Sequence, residues 1–561
     1  MTTSFRVTVF GVCVCILSST VIAAPATWRA PAGSKPTYLP EYDPVSWKDY
    51  PSGYLAMGNR LLMYPVAMGD WPIVIGPKRE LFIDEYLVAE RKDLRREFHQ
   101  AVKHPGNPVI GEDTPWEKAI GIGGGGLTEY DAKTEKFRMW YNLLRPGGKL
   151  PPYKGLKFTY PFCYAESTDG VTWTRPNMGW YKTDNPKFRN SNIILWNSPL
   201  AMFVDPKEKD PNKKYKGFPR GKLHNYQVEG LYLWSSPDGI KWRKESGRCI
   251  ILGEYAKGYK GYNAPWGVQG PGQRGHRSNL PRNGLANASP RWDEHLGKYV
   301  ADVKMSRYPV KRAAAQMESD DLIHWSPPRM TMQADQLDHP GDQLYYPYNF
   351  CYGNMWLGLL RVFHSKVGWK QTDVQLVTSR DGRTWSRACD RQAFITLGGP
   401  DSWDADYNAP PAGPVRVGDE LWFYYQGSRY HKRDAKADYR GYRRGIGLAK
   451  IRVDGFLSLN GGNRPGTLLT RPLAYKGSSL RVNADVAPGG YVKVAIRDIN
   501  NKPLSGYRLD DCVALRKDTV RGAIIWKRMR RMPAGTTTAI EKHVRLLFSV
   551  KNAKLYSFWI E

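Results

Sequence analysis

The sequence predicts an all-β protein, a five-bladed β-propeller followed by a C-terminal β-sandwich. A turn motif, Ser-x-Asp-Gly-x-x-Trp, recurs along the middle of the chain. Short strand-like runs precede the motif in each copy, and after about residue 461 the pattern changes to simple alternation of apolar and polar residues. Repeats of this spacing indicate a radial or stacked architecture, and period-two alternation indicates strands that are buried on one face.

Residues 1–24 have the pattern of a secretory signal peptide. Arg6 supplies the positive charge, Val7–Leu17 is apolar, and Val21–Ala23 ends in a small residue that suits cleavage. The apolar run is too short for a membrane span. We therefore expect a secreted or periplasmic protein with no membrane span.

Residues 25–104 are predicted to form an extended segment that lies over the main domain. This stretch is rich in Pro, Tyr, Trp and Gly and shows no periodicity. Leu81–Val88 is its strand candidate. We expect this strand to close the propeller ring by pairing with the last blade.

Residues 105–460 are predicted to form the propeller, because the turn motif divides them into similar units. Asp-Gly allows the positive φ of a tight hairpin, and the Asp side chain can bond the backbone of the turn. The copies are 167–173, 236–242 and 379–385, with a degraded copy at 319–325. The motif resembles the Asp box of sialidases and related β-propeller glycosidases. We expect its acids, Asp169, Asp238, Asp321 and Asp381, to be structural.

A strand pair is expected in each of the five units. The pairs fall at Tyr130–Tyr141, Phe203–Phe218, Arg291–Val300, Phe350–Gly358 and Val415–Tyr425. Five units of four short strands suit a ring of blades, because radial repetition leaves only short, protected sheet edges.

Residues 461–561 are predicted to form the β-sandwich. Ser479–Val486, Tyr491–Arg497 and Val544–Val550 alternate with a period of two. The domain is either a carbohydrate-binding module or a structural brace, and the sequence favours the brace.

Charge and cysteine content limit the class of partner. Lys and Arg outnumber Asp and Glu by 83 to 53 in 561 residues, a formal net charge of +30. An exported protein is not expected to meet nucleic acid, so the positive field suggests an acidic or sulfated polysaccharide; general attraction to a cell envelope is the alternative. The cysteines outside the signal form neither a disulfide framework nor a zinc pattern: they are Cys163, Cys249, Cys351, Cys389 and Cys512.

The chain from roughly residue 80 to residue 560 resembles the invertase-like and arabinanase-like glycoside hydrolases, the family 32/43-like secreted bacterial proteins. The resemblance lies in Asn107–Ile110, Lys136–Tyr141, Tyr164–Trp173 and Phe203–Pro206. It implies a five-bladed propeller glycosidase acting on a carbohydrate substrate, and by analogy alone a calcium ion in the funnel. No other cofactor is expected. The invertase motifs Asn-Asp-Pro-Asn-Gly and Glu-Cys are absent.

Hydrolysis of a glycosidic bond needs two carboxyl groups, one to protonate the leaving oxygen and one to activate water or attack the sugar. In a propeller such acids stand just before the first strand of a unit. The candidates in these positions are Glu112, Asp113, Glu117, Asp205, Asp338, Asp342, Asp401, Asp404 and Asp406. We predict Glu117, Asp342 and Asp404 as the catalytic set. Glu117 follows an aromatic residue, Asp342 has Arg361 and His364 in its unit, and Asp404 lies in an aromatic-rich loop.

The remaining site predictions concern substrate binding. Aromatic rings can stack on sugars, and arginine forks suit carboxylate or sulfate groups. The predicted binding residues are Asp113, Asp205, Tyr262, His276, Arg277, Trp403 and Tyr407. No metal ligand is predicted.

Two other functions stay open at this point. A non-catalytic carbohydrate-binding propeller would lack two facing acids. A polysaccharide lyase of an acidic glycan would use Tyr, His and Arg instead of paired carboxylates, and the basic charge suits it. A sialidase is disfavoured because five units are counted and no arginine triad is evident.

Overall fold

The computed structural model describes residues 72–144, 161–179, 189–196, 199–222, 229–246, 251–252, 288–305, 312–364, 371–429, 443–535 and 542–561. Within these ranges the regular structure is almost entirely β, with one α-helix and two short 3-10 helices. The predicted all-β class is confirmed. Across this part of the chain, every helix falls short of the length and apolarity needed to cross a membrane.

The first strands lie mainly against the C-terminal part of the chain. They are β1 (Ile73–Ile75), β2 (Glu80–Leu81), β3 (Val88–Lys92), β4 (Leu94–Phe98) and β5 (Val102–Lys103). The prediction that Leu81–Val88 closes a ring with the last repeated unit is wrong. Strand β2 pairs with residues 557–558, and Phe82 and Leu87 are buried in the core of the C-terminal sheet. Strand β5 instead pairs with residues 449–450, at the end of the repeated region.

Three separate antiparallel sheets follow. Unit one begins with α1 (Pro115–Ile120) and contains β6 (Ile122–Asp131), β7 (Lys136–Leu143), β8 (Phe162–Ser167) and β9 (Ile193–Leu195). Unit two contains β10 (Pro199–Val204), β11 (Tyr215–Lys222), β12 (Glu229–Leu231), β13 (Trp234–Ser236), β14 (Arg243–Lys244) and β15 (Ile251–Leu252). Unit three contains β16 (Ala288–Asp293), β17 (Lys298–Met305), β18 (Ala313–Ser319) and β19 (Arg329–Met332).

Two further units are joined by a single parallel pair, Thr372 with Tyr407. Unit four contains β20 (Asp342–Tyr352), β21 (Met355–His364), β22 (Gln371–Ser379), β23 (Ser386–Arg387) and β24 (Ala393–Ile395). Unit five contains β25 (Tyr407–Ala409), β26 (Val415–Val417), β27 (Glu420–Arg429) and β28 (Arg443–Arg452), and β5 is its outermost strand.

Hydrophobic cores join each unit to the next and join unit five back to unit one. Successive side chains of a strand point to opposite faces of its sheet. The apolar side chains of each sheet can therefore pack against both neighbouring units. Representative pairs across the successive contacts are Trp140 with Tyr215, Phe203 with Tyr299, Ala314 with Leu344, Leu376 with Phe423, and Trp422 with Phe137.

The C-terminal strands form one sheet with β1 to β4. They are β29 (Leu457–Gly461), β30 (Gly466–Thr470), β31 (Leu473–Tyr475), β32 (Leu480–Asp498), β33 (Thr519–Ala523) and β34 (Val544–Ile560). The long strand β34 pairs with β29, β30, β31, β32 and β2. A separate core fills this part of the molecule, with the buried indole of Trp526 donating to the Val494 carbonyl at 2.8 Å.

The repeated turns have the contacts that the motif predicts. In the copy after β22, Asp381 Oδ1 accepts the backbone N–H groups of Arg383 at 2.8 Å and Thr384 at 2.6 Å. Ser379 Oγ accepts the N–H of Gly382, which has a φ of 70°. A side chain at Gly382 would meet the ring of Trp356 at 2.8 Å. These acids therefore hold turns together, as expected.

Candidate functional site

One end of units three, four, five and one forms a continuous surface, which we call the Asp342 edge. It is marked by Arg312, Asp342, Tyr407 and Ile122. Arg312 donates to Gln343 across units three and four, and Thr372 pairs with Tyr407 across units four and five. Arg444 of unit five contacts the carbonyl of Ile122 in unit one. Contacts between neighbouring units therefore run along this edge from unit three to unit one.

Asp342 lies in a carboxylate–imidazole–carboxylate triad within unit four. It starts β20 and is paired in register with His364, which ends β21. His364 Nδ1 lies 3.0 Å from Asp342 Oδ1, and Nε2 lies 3.3 Å from Asp373 Oδ2. Burial lowers the pKa of His364, but the hydrogen bonds to the two carboxylates outweigh it and raise the pKa to about 10. The ring is therefore cationic at neutral pH and lies between the two carboxyl groups.

Cations surround an aromatic ring at the same edge, in a group that we call the Tyr345 cluster: Lys304, Arg312, Tyr345, Arg361 and Tyr407. The Arg361 guanidinium lies 3.8 Å from the centre of the Tyr345 ring, Arg312 lies at 5.1 Å and Lys304 at 5.8 Å. Arg361 also donates to the hydroxyl of Tyr407. All five residues are half-buried. Partly desolvated cations beside rings suit an anionic group carried on a sugar.

Glu112 is the titratable acid of unit one at this edge. It is half-buried, and its Oε1 accepts the backbone N–H of Ile122 at 3.3 Å. A side chain on Gly121 would lie 3.1 Å from Arg444 Nη1 and 3.2 Å from Glu112 Oε1, so these two groups flank the glycine. Burial raises the pKa of Glu112 to about 7, although Arg444 acts in the opposite direction. A carboxyl group with this pKa is partly protonated at neutral pH.

Glu117 and Asp404, two of the predicted catalytic acids, are enclosed by protein groups. Glu117 is fully buried; it accepts from the Tyr141 hydroxyl at 2.6 Å and pairs with Arg175 Nε at 2.8 Å. Its Oε2 accepts the N–H of Thr114, which makes it part of the capping box of α1.

Asp404 is buried beside β5 and β27. It pairs with Lys103 and accepts from the Tyr425 hydroxyl at 2.8 Å. Among the described residues, no hydrogen bond or ion pair joins any two of the three predicted catalytic acids.

The predicted binding residues fall into different places. Tyr407 is in the Tyr345 cluster, whereas Asp113 is exposed and pairs with Arg175 at 3.0 Å. Asp205 is buried at the far end of β10, where the Tyr299 hydroxyl donates to it at 3.0 Å. Trp403 packs on Tyr425, with 5.8 Å between ring centres. The other predictions, Tyr262, His276 and Arg277, lie outside the described residues.

The structure thus brings together Asp342 and Tyr407 from the predicted set, with Arg361 and His364 beside them. The sequence reasoning missed Asp373, Arg312 and Lys304. A register argument could have found Asp373, because it lies near the start of the strand after the one that His364 ends. Arg312 and Lys304 come from unit three and could not be placed without the packing of units three and four.

Calcium needs six to eight oxygen ligands, and the described acids of this edge form no group of three close enough to share one ion.

No family model matches the chain, and no curated protein matches it. Among solved structures, a GH32 beta-fructofuranosidase from Bombyx mori is 9% identical, with 83% of this chain and 93% of that chain covered and a TM-score of 0.36. A glycosyl hydrolase from Bacteroides ovatus is 14% identical, with 63% and 94% covered and a TM-score of 0.35. An N-acetylgalactosamine deacetylase from F. plautii is 13% identical, with 65% and 96% covered and a TM-score of 0.37.

Proposed function

We propose that this protein is an exported glycoside hydrolase that cleaves an anionic polysaccharide or oligosaccharide at the Asp342 edge. In this proposal the five units are the blades of a β-propeller, and the C-terminal sheet with its own core is a β-sandwich that braces it. The closed series of cores from unit one through unit five and back to unit one supports the ring. The Asp342 edge is then the mouth of the central funnel.

The observation that carries the proposal is the contrast between two carboxyl groups at this edge. Burial raises the pKa of Glu112 to about 7, so it can donate a proton near neutral pH. Asp342 is instead paired at 3.0 Å with the cationic His364. A proton donor and a second carboxyl group in a different environment are the pair that glycosidic hydrolysis requires. We assign Glu112 as the general acid and Asp342 as the nucleophile or base.

This assignment retains Asp342, which belongs to the catalytic set expected from the sequence. It assigns Glu112 in place of Glu117 and Asp404. Glu117 lies in the first helix and is bound by Tyr141 and Arg175, and Asp404 is paired with Lys103. A catalytic carboxyl group must instead reach the substrate. Glu112 is half-buried, and Asp342, which is 5% exposed, stands at the start of β20 beside the half-buried His364 ring at the same edge.

The anionic character of the substrate is proposed from the Tyr345 cluster. Lys304, Arg312 and Arg361 converge on one ring from units three and four. A uronate carboxylate or a sulfate ester would replace water around these cations, and Tyr345 would offer an aromatic face to the sugar.

The test is an incubation of the full-length protein with matched neutral, uronate-containing and sulfated glycans, followed by analysis of the products. We expect new reducing ends from an anionic glycan, no unsaturated sugar, and loss of this activity in Asp342→Asn. Cleavage of neutral glycans at the same rate would contradict the assigned substrate class. Binding of anionic glycans without any cleavage would contradict the hydrolase.

A lyase is the second candidate, because Arg361 donates to the Tyr407 hydroxyl at the same edge. An arginine that neutralises a uronate beside a tyrosine is the arrangement that β-elimination would use. The same incubation separates the two reactions. Ultraviolet absorbance of a new carbon–carbon double bond, abolished in Tyr407→Phe but retained in Asp342→Asn, would favour the lyase over the hydrolase.

A further inference from the structure

Three chemically different metal-binding side chains meet where unit three contacts unit four. Glu294 and His295 lie in the turn between β16 and β17, and Cys351 lies near the end of β20. One ligand atom from each residue lies within 4.8 Å of the ligand atoms of the other two. Asp342 begins β20 and Cys351 is near its other end, so this cluster is separate from the Asp342 edge.

The imidazole of His295 has an unsatisfied nitrogen. Its side chain is only 10% exposed, and Nε2 is buried without a hydrogen-bond partner. Glu294 Oε1 lies 3.3 Å from this nitrogen, outside hydrogen-bond geometry. A buried polar atom left unpaired costs about 1–3 kcal/mol and calls for an explanation, such as a bound ion.

The surrounding contacts hold the turn in one conformation. Asp293 Oδ1 accepts the backbone N–H groups of His295 at 3.1 Å and Leu296 at 3.0 Å, while Oδ2 accepts from Trp356 Nε1 at 2.7 Å. The His295 ring stands edge-on to Trp356, with 4.8 Å between ring centres. The Cys351 thiol donates to Asp293 Oδ1 at 3.6 Å, a hydrogen bond that metal binding would replace. The contacts of Asp293 with the turn and with Trp356 are outer contacts of the kind that orient the ligands of metal sites.

We propose that Glu294, His295 and Cys351 bind one Zn²⁺ ion, with water as the fourth ligand. A sulfur, a nitrogen and a carboxylate oxygen are the donors that zinc takes in a tetrahedral site, whereas calcium and magnesium take oxygen. When the metal binds, the Zn–S bond forms as the S–H proton of Cys351 is released to solvent. The ion would clamp the β16–β17 turn of unit three to β20 of unit four.

The contact of Lys78 with Glu294 gives a further test of the proposed zinc site. The Lys78 ammonium lies 3.3 Å from Glu294 Oε1, and both side chains are largely exposed. Zinc must take this oxygen from Lys78, so Lys78→Ala should strengthen zinc binding.

The experiment titrates the full-length protein, freed of metal with a chelator, first with Co²⁺ and then with Zn²⁺. We expect one equivalent of Co²⁺ to give a thiolate-to-metal charge-transfer band and tetrahedral d–d absorption, and Zn²⁺ to displace it. Cys351→Ser should abolish the band. Zinc affinity should fall at least about tenfold in Cys351→Ser and His295→Ala, since changes to outer contacts alone cost about 10–100-fold.

Cys389→Ser is the matched control, because Cys389 is another half-buried cysteine and lies outside the cluster. It should leave the cobalt spectrum unchanged. Zinc should also slow alkylation of Cys351 by iodoacetamide in the unmutated protein, mapped by mass spectrometry, and this readout holds even where Cys351→Ser fails to fold. A cobalt spectrum without a thiolate band, or equal alkylation of Cys351 with and without zinc, would overturn the proposal.

Discussion

Glu112 and Glu117 show how partners decide the chemistry of two acids five positions apart. Glu117 accepts from the Tyr141 hydroxyl, from Arg175 and from the backbone of its own helix, so every lone pair is used. Glu112 has one backbone donor and a flanking Arg444, and burial still raises its pKa to about 7. Partial burial with few donors is what leaves a carboxyl group able to give up a proton near neutral pH.

The replacement Glu112→Gln should remove the proton donor of the proposed reaction. We expect kcat on an anionic glycan to fall by about 10²–10⁴-fold, which is the usual contribution of general acid catalysis. In the unmutated enzyme, kcat/KM should decline as pH rises through about 7, because the required proton is lost there. The decline should disappear from the residual activity of the variant.

Glu135→Gln is a suitable control for this measurement, because Glu135 is exposed in the turn that joins β6 to β7. It should keep the full rate and the alkaline decline. An alkaline decline that persists in Glu112→Gln would assign the titration to another group.

Glu80 should make the stability of the fold depend on pH. The side chain is 1% exposed, and burial raises its pKa from 4.5 to about 7 despite Arg380 and the Asn354 amide, which donates at 2.8 Å. The folded state therefore holds the proton more tightly than the unfolded state. Its stabilising contribution is complete below about pH 4.5 and is lost as pH rises through 7.

We expect this loss to reach about 3 kcal/mol in the free energy of unfolding, from about 1.4 kcal/mol per unit of pKa. Denaturant unfolding at several pH values would measure it as the difference between the unmutated protein and Glu80→Gln. The variant should be relatively more stable at pH 8 than at pH 5. Parallel pH curves for the two proteins would contradict the assignment.

At the scale of the element, the repeated turn was predictable because all its contacts are local. Asp169, Asp238 and Asp381 each accept backbone N–H groups two and three residues further on. The degraded copy forms the same turn even though Leu322 occupies the glycine position, with a φ of 67°. The Leu322 side chain is buried in the core between units two and three, which offsets the backbone strain.

Pairing between distant strands was less predictable, because short segments carry little information about their partner. Leu81–Val88 reads as a strand, yet only its first residue is in β2, and that strand pairs with β34. The closing strand β5 has two residues and gives no periodic signal. The acids of the repeated turns have local contacts and could therefore be assigned from sequence. The partners of Glu117 and Asp404 could not be assigned in this way.

The turn predicts a measurable stability difference. Asp381→Ala removes the acceptor for two backbone N–H groups and for the Ser379 hydroxyl, so the free energy of unfolding should fall by about 1–2 kcal/mol. Asp320→Ala is the control, since Asp320 is 79% exposed and pairs with the exposed Lys298. It should change stability by less than about 0.5 kcal/mol. Equal effects in chemical denaturation would show that the turn acid contributes nothing beyond surface charge.

At the scale of the whole molecule, one buried carboxylate connects three parts of the chain. Asp454, beyond the end of unit five, pairs with Arg79 of the N-terminal segment and accepts from Tyr352 of unit four at 2.8 Å. It also accepts from Asn483 at 2.8 Å and Ser557 at 2.6 Å in the C-terminal sheet. A buried charge with this many donors is costly to separate from them. The N-terminal segment, the units and the C-terminal sheet should therefore resist separation.

Net charge and the Tyr345 cluster should contribute to glycan binding in different ways. The charge of +30 is spread along the sequence, and its attraction is screened when the Debye length falls from about 8 Å at 0.15 M salt to about 3 Å at 1 M. Contacts between an anionic sugar and partly buried Arg361 are screened much less. Affinity for an anionic glycan should thus fall with salt to a remaining value that depends on the cluster.

Arg361→Gln should weaken binding at least about tenfold, or 1.4 kcal/mol, at both 0.15 M and 1 M salt. Arg530→Gln, in the exposed basic segment of the C-terminal sheet, is the matched control, because it removes the same charge from the surface. It should lower affinity slightly at 0.15 M salt and have no effect at 1 M. Calorimetric titration of both variants with a uronate and a sulfated oligosaccharide would measure the difference. Should the two variants respond alike at 1 M salt, general attraction to polyanions would account for the binding, and the substrate class assigned to the Asp342 edge would lose its support.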